Sequence, residues 1–308
     1  MSSATRVWTH DPGASLRPVS IGAVTVVPVV QLHYRADPFV FFRGLDRDTI
    51  DPSAWYWQPP YLDEGLMVID IGGFLVRTPD RTILVDAGMG NGKTRPNPAM
   101  SHRDDDWFTT LRRAGASPED IDTVVFTHLH GDHVGYATRQ EKEEWVPTFE
   151  HARCLVSAAE YAYWCSEDAR RDLTRLGDYM SDSVEPLRRA GVLDLVAPDV
   201  EISDEVRLVP ASGHTPGNVC VEISSGGQRG VFAGDMVHHA VQLAFPDLNT
   251  DFCVDGTHAA GARRALLADL ADTDAVFFPA HFPDAVPGTV VSDRDGGYRY
   301  LPLEEDAA

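Results

Sequence analysis

Residues 127–135 read T-H-L-H-G-D-H-V-G, so His128, His130, Asp132 and His133 crowd together in a chain that has 12 histidines in 308 residues. Neutral imidazoles with a carboxylate, and no thiolate among them, suit zinc, iron, manganese or cobalt. Three further donors stand downstream, each at the end of an apolar run. His214 lies in S-G-H-T-P-G (212–217), Asp235 in A-G-D (233–235) and His281 in F-P-A-H-F-P (278–283). Each of these alone is more often structural. Four donors from the first half and three from the second fit two metal ions, with one bridging carboxylate and positions left for water.

The flanking segments must carry these residues. IGAVTVVPVV (21–30), GLMVIDIGGFLV (65–76), RTILVD (81–86) and IDTVVF (121–126) are rich in β-branched residues and read as strands. Gly72-Gly73 and Pro79-Asp80 read as turn or bulge punctuation. If the strand 121–126 runs into the cluster, His128 and His130, two apart, face one side and Leu129 the other. Asp132 and His133 then follow Gly131 at a helix start. Ser101 with Asp104 resembles a capping pair ahead of DWFTTLRRAG, and Ser117-Pro118-Glu119-Asp120 orders a cap, a proline and acidic residues. Later come RCLVS (153–157), a helical span over 157–190, strands at 205–210, 218–224 and 229–234, a helix over 257–271 and a strand at 275–280. Two comparable strand–helix halves predict a layered α/β domain over 19–308, preceded by a flexible arm over 1–18. An aromatic-rich insert over about 32–62 contains Phe39, Phe41, Phe42, Trp55, Tyr56 and Trp57. It packs either in the core or a dimer interface, or as an apolar lip over the metals.

Composition narrows the partners. The net charge of −21, from 47 acidic and 26 basic residues, opposes phosphate backbones, so nucleic acid is not expected as a substrate. No stretch approaches the roughly 18–20 apolar residues of a membrane helix, and the first residues lack a signal-peptide core. The expected address is cytoplasmic, without a membrane partner. Cys154, Cys165, Cys220 and Cys253 are widely spaced and read as reduced thiols.

The order H-x-H-x-D-H, G-H-T-P-G, G-D and a late A-H resembles the metallo-β-lactamase-fold hydrolases over roughly residues 65–285. The resemblance implies a four-layer αββα sandwich and a pair of divalent ions, zinc being expected. His128, His130 and His214 would hold one ion, Asp132, His133 and His281 the other, and Asp235 would bridge them. Asp86, in I-L-V-D-A-G, would support the site from behind. Among subfamilies, the lack of an export signal disfavours β-lactamases. The acidic tail disfavours hydroxyacylglutathione hydrolases, and the acidic surface disfavours RNA-processing members. The segment G-D-M-V-H-H-A-V-Q-L (234–243) and the N-terminal insert resemble the branch of lactonases and methyl parathion hydrolase, which implies a homodimer. The implied reaction uses a metal-bridging hydroxide to open a lactone or cleave an ester, or a phosphotriester, of a hydrophobic small molecule. Asp132 would carry a proton to the leaving group. Homoserine lactonases tend to place a tyrosine three residues after the bridging aspartate. His238 stands there in this chain and is expected to donate to the substrate oxygen, with His239 pointing elsewhere. The alternatives are a thioester hydrolase of the hydroxyacylglutathione type and a mononuclear iron oxygenase on the same fold.

Overall fold

A computed structural model describes residues 7–9, 16–294 and 296–303. Two β-sheets form its frame. The first places Val7–Thr9, Val24–Ala36, Leu66–Arg77, Thr82–Val85, Thr123–Val125, Arg153–Ser157 and Leu193–Val196 side by side in that order. The second orders Val206–Pro210, Val219–Ser225, Gln228–Phe232, Val276–Phe278, Gly288–Ser292 and Tyr298–Pro302.

The period-two alternation of these strands builds the layers. Ile83, Val85 and Val125 turn inward and pack with Val219, Val221, Phe232 and Phe278 of the second sheet. Their neighbours Leu84 and Val124 turn outward, beneath Trp107 and Leu111 of the helix Trp107–Arg113. In the second sheet Cys220, Val231 and Phe277 face outward, onto Leu267 and Leu270 of the helix Gly256–Leu270. The result is helix, sheet, sheet, helix, the expected four-layer sandwich.

Strand direction decides where chemistry can gather. Thr82–Val85, Thr123–Val125 and Arg153–Ser157 run parallel, as do Gln228–Phe232 and Val276–Phe278. Their carboxyl ends open on loops that carry Asp86, His128, Asp235 and His281. In open α/β sheets this is where ligands bind, because the connections leave a crevice there.

Several local expectations are corrected. Gly72-Gly73 is not a turn, since Leu66–Arg77 runs through it unbroken. A Cβ at Gly72 would lie 2.4 Å from the Val29 carbonyl oxygen, and one at Gly73 2.2 Å from that of Asp86, so close backbone approach explains the pair. The bulge half of the expectation holds, since the register shifts between Val30 and Leu32 of the partner strand, opposite Gly72. Asp106, rather than Ser101, caps the helix Trp107–Arg113. The span 157–190 is broken into the helices Ala158–Trp164, Arg170–Leu176 and Glu185–Arg189, with a π-helical turn at Met180–Val184. Of the arm expected over 1–18, residues 1–6 and 10–15 lie outside the described residues, while Val7–Thr9 pairs antiparallel with Leu32–Tyr34 as an added strand. Residues 32–36 of the aromatic insert belong to the long strand Val24–Ala36. Beyond them, Phe42 and Tyr56 are buried in the core. Among the described residues no helix is long and apolar enough to cross a membrane.

The short helix Gly131–Val134 meets the loop after Thr82–Val85 with no room to spare. Gly135 N–H donates to the Gly88 carbonyl at 2.7 Å, and a Cβ on Gly135 would sit 1.9 Å from the Met89 carbonyl carbon. Backbone cannot yield as a flexible side chain would. Gly135→Ala should therefore cost about 3 kcal/mol and lower Tm by several degrees in a thermal melt. An unchanged melt would show that the two loops are free to separate.

Candidate metal centre

His128 and His130 do not sit on a strand. Thr123–Val125 ends before them, so strand alternation is not what aims their rings. Two buried carboxylates do this instead. Asp86, in the left-handed region at φ 58°, accepts from Thr127 N–H at 2.9 Å and Thr127 Oγ1 at 2.8 Å, and faces His133 Nδ1 at 2.8 Å. Aspartate tolerates that conformation better than most residues. Glu160, fully buried at the start of Ala158–Trp164, accepts from Leu129 N–H at 3.0 Å and Trp164 Nε1 at 2.6 Å with one oxygen. Its other oxygen accepts from Gly217 N–H at 3.0 Å. One side chain thus ties the loop of His128 and His130 to the loop of His214. Burial raises the Glu160 pKa, and these donors oppose the rise.

The seven expected donors fall into two sets. His130 Nδ1 lies 3.0 Å from His128 Nε2 and 2.9 Å from His214 Nε2. A single ring proton cannot serve both contacts, so three imidazole nitrogens converge on one point without a full set of hydrogen bonds. Asp235 Oδ2 faces this set, 3.6 Å from His128 Nε2 and 3.3 Å from His214 Nε2. Asp235 Oδ1 faces the other set, 3.0 Å from His133 Nε2 and 2.8 Å from His281 Nε2. Asp132 Oδ2 completes that second set at 3.8 Å from His133 Nε2 and 3.9 Å from His281 Nε2. Within His128, His130, His214 and Asp235, and within Asp132, His133 and His281, one donor atom per residue lies within 4.8 Å of the others, as a metal ion requires.

Electrostatics favours the ligating forms of His128, His130 and Asp235, whereas at His133, His214 and His281 burial lowers the pKa but the nearby Asp235 carboxylate outweighs it and raises it. Burial drives the His128 and His130 pKa values well below 6.5, which keeps both rings neutral. Burial would push Asp235 up, but His281, His133, His238 and His128 around it outweigh that, and the carboxylate is held well below its usual range. The outer nitrogens are held too. His281 Nδ1 donates to the Asp70 carbonyl at 2.7 Å, and His214 Nδ1 lies 3.5 Å from Cys253 Sγ.

His238 turns toward this cluster, with Nε2 3.2 Å from Asp235 Oδ2, and neither of its ring nitrogens has a hydrogen-bond partner among the described residues. His239 turns away, its Nε2 donating to the Tyr61 carbonyl at 3.0 Å. Burial pushes both imidazoles down to about 4, so both are neutral near pH 7. Above the cluster opens a cavity of about 180 Å³, walled by Tyr34, Phe41, Ile69, Ile71, Met100 and Phe252 and floored by Asp132, Asp235, His238 and His281. The insert thus divides between its two expected roles, with Phe41 on the cavity wall and Phe42 in the core.

A family model described as the metallo-beta-lactamase superfamily matches residues 73–281, from mid-strand in the first sheet to the last histidine of the cluster. The chain belongs to that superfamily. A stretch of 92 residues is 36% identical to the N-acyl homoserine lactonase AiiB of Agrobacterium fabrum, covering 25% of this chain and 32% of that protein. The chain thus spans about a third of the length of this curated relative. Among solved structures, AidC, a dizinc quorum-quenching lactonase in complex with its product, superposes with a TM-score of 0.81 at 20% identity, covering 96% of this chain and 99% of that one. Hydrolase AbOPH superposes with a TM-score of 0.79 at 22% identity over 94% of this chain and 97% of its own. At such identities these two likenesses show the fold.

Sequence reasoning missed Glu160, Cys253 and the cavity residues Tyr179 and Phe252. Nothing in their local pattern separates them from ordinary core residues, and Glu160 acts through contacts 31 and 57 residues away in sequence. Glu160→Ala would leave three buried donors unpaired, at about 1–3 kcal/mol each. A loss of at least about 3 kcal/mol in urea unfolding is expected. A loss below about 1 kcal/mol would mean that water replaces the carboxylate.

Proposed function

We propose that the chain opens a lactone, or cleaves an ester, of a hydrophobic small molecule at a centre for two divalent cations. By the same chemistry it would act on a phosphotriester. His128, His130 and His214 would hold one ion and Asp132, His133 and His281 the other, with Asp235 between them. The observation that carries this reading is the division of the Asp235 carboxylate, one oxygen facing each set of imidazoles. Zinc fits donors of neutral nitrogen and carboxylate oxygen in buried, compact sets. When bound, such ions lower the pKa of water toward about 7 and polarise the scissile group.

The chain's own residues supply the rest. The cavity wall of Tyr34, Phe41, Ile69, Ile71, Met100 and Phe252 takes an apolar acyl chain or ring and excludes water from it. Asp132, the donor with its side chain 26% exposed, stands where the floor meets the cavity, in position to pass a proton to the departing oxygen. His238, neutral and unpartnered, has an N–H to offer the substrate oxygen. The lactonases among the relatives and structural neighbours support ester-bond opening as the reaction class.

Elemental analysis of protein purified without chelator should approach two metals per catalytic cluster, and a panel of lactones, aryl esters and phosphotriesters should show hydrolysis that chelation abolishes. A cluster holding one metal, or turnover of a glutathione thioester alone, would overturn the reading.

His238→Ala should lower kcat and kcat/KM together, by up to about 10²–10³-fold, while Tm and metal content hold, because its ring makes no hydrogen bond that folding depends on. His239→Ala breaks a buried hydrogen bond and should lower Tm instead. If the two variants behaved alike, His238 would be a packing residue.

A further inference from the structure

A third cluster lies behind the second set of donors. His33, on Val24–Ala36, is the cross-strand partner of Asp70 on Leu66–Arg77, so the pairing register itself places their side chains together. His33 Nδ1 is 2.5 Å from Asp70 Oδ1. Asp284 reaches the same point from the turn Pro283–Ala285, three residues past His281. One donor atom from each of His33, Asp70 and Asp284 lies within 4.8 Å of the other two.

The described residues leave one buried oxygen of this cluster without a partner. Asp70 is fully buried, and its Oδ2 has no hydrogen-bond partner among the described residues, although the Asp284 backbone N–H also faces the carboxyl group. A sealed carboxylate oxygen without a partner is costly and uncommon. The backbone that brings Asp284 in is also strained, with Asp284 at φ 57° and Ala285 at φ 44°, in consecutive left-handed conformations. Alanine rarely adopts that conformation, and such strain persists where a site needs it. Charge points the same way. Two carboxylates face one imidazole, which can neutralise only one of them.

We propose that His33, Asp70 and Asp284 bind a divalent cation of the zinc or manganese type, separate from the cluster around Asp235. One imidazole nitrogen and carboxylate oxygens suit such ions, and partly exposed Asp284 leaves an entry path with room for water ligands. The unpartnered Asp70 Oδ2 becomes a ligand atom. The ion's role is to hold a metal-site residue from behind. Asp70 accepts from His281 Nδ1 through its carbonyl and donates to the His281 carbonyl at 3.1 Å through its N–H. Fixing Asp70 and Asp284 together fixes the segment that presents His281.

The proposal takes from the functional reading only that His281 serves the main cluster, and its test separates the two. Asp284→Asn is the chosen variant because asparagine keeps the shape and tolerates the left-handed backbone. The full chain, stripped with chelator, reloaded with zinc and dialysed, should bind one equivalent more than Asp284→Asn in elemental analysis. His33→Gln should lose the same equivalent. Zinc should also raise the wild-type Tm by more than it raises that of Asp284→Asn. An Asp235→Asn chain should still show the difference when Asp284→Asn is added, whatever number of ions the main cluster holds. Equal zinc content in wild type, Asp284→Asn and His33→Gln would overturn the proposal and leave a hydrogen-bonded His33–Asp70 pair. A total near two with the one-equivalent difference intact would count against the two-metal hydrolase alone.

Discussion

The structure turns on one buried carboxylate. Asp235 is enclosed by His128, His133, His214, His238 and His281, with four of those imidazoles 2.8–3.3 Å from one of its two oxygens. Burying so many polar rings around one charge is unfavourable unless each ring is fixed and each lone pair has a use. Much of the surrounding architecture meets that requirement. Asp86 fixes Thr127 and His133, Glu160 fixes the loops of His130 and His214, and the Asp70 carbonyl fixes His281. Neither Asp86 nor Glu160 could be replaced by an apolar residue without freeing a ring or a loop.

The two sheets explain how residues from positions 86 to 281 meet. Each parallel strand pair needs a crossover connection, and each crossover leaves its strand's carboxyl end free to turn toward the crevice. The inner faces, with Phe74, Phe232 and Phe278 in ring contact, hold the sheets in register. The outer helices cover the opposite faces. Strand ends that belong to different sheets are thereby held at fixed separation, which loops alone would not achieve.

The candidate donors were legible because metal ligation demands particular residue types at close spacing, and the structure brings them together in two sets. The strands Leu66–Arg77 and Val219–Ser225 were legible from their apolar, β-branched runs. The mechanism of aiming was not. Strand alternation gave the right convergence of His128 and His130 for the wrong reason, since the strand stops at Val125 and side chains distant in sequence set the rings. Gly72-Gly73 left turn and bulge both open because sequence records the absence of a side chain but not the backbone that fills its place. Glu160 was invisible for a related reason. A buried acid on a helix looks like any exposed one until its three donors are known.

The floor and the walls of the site obey different rules. The floor is a hydrogen-bonded network in which a shift of one member disturbs several others, so its composition is constrained residue by residue. The wall of Tyr34, Phe41, Ile69, Ile71, Met100 and Phe252 makes contacts that any apolar group of similar volume would make. Methionine and aromatic rings there adapt to the shape of what they hold. The chemistry of the reaction is therefore fixed by elements at the core of the fold. What the cavity can hold rests with a wall drawn from the long strands, the insert and the segment around Phe252. The floor is thus the part of the site that tolerates least change, and the wall the part whose shape can vary while the fold stays the same.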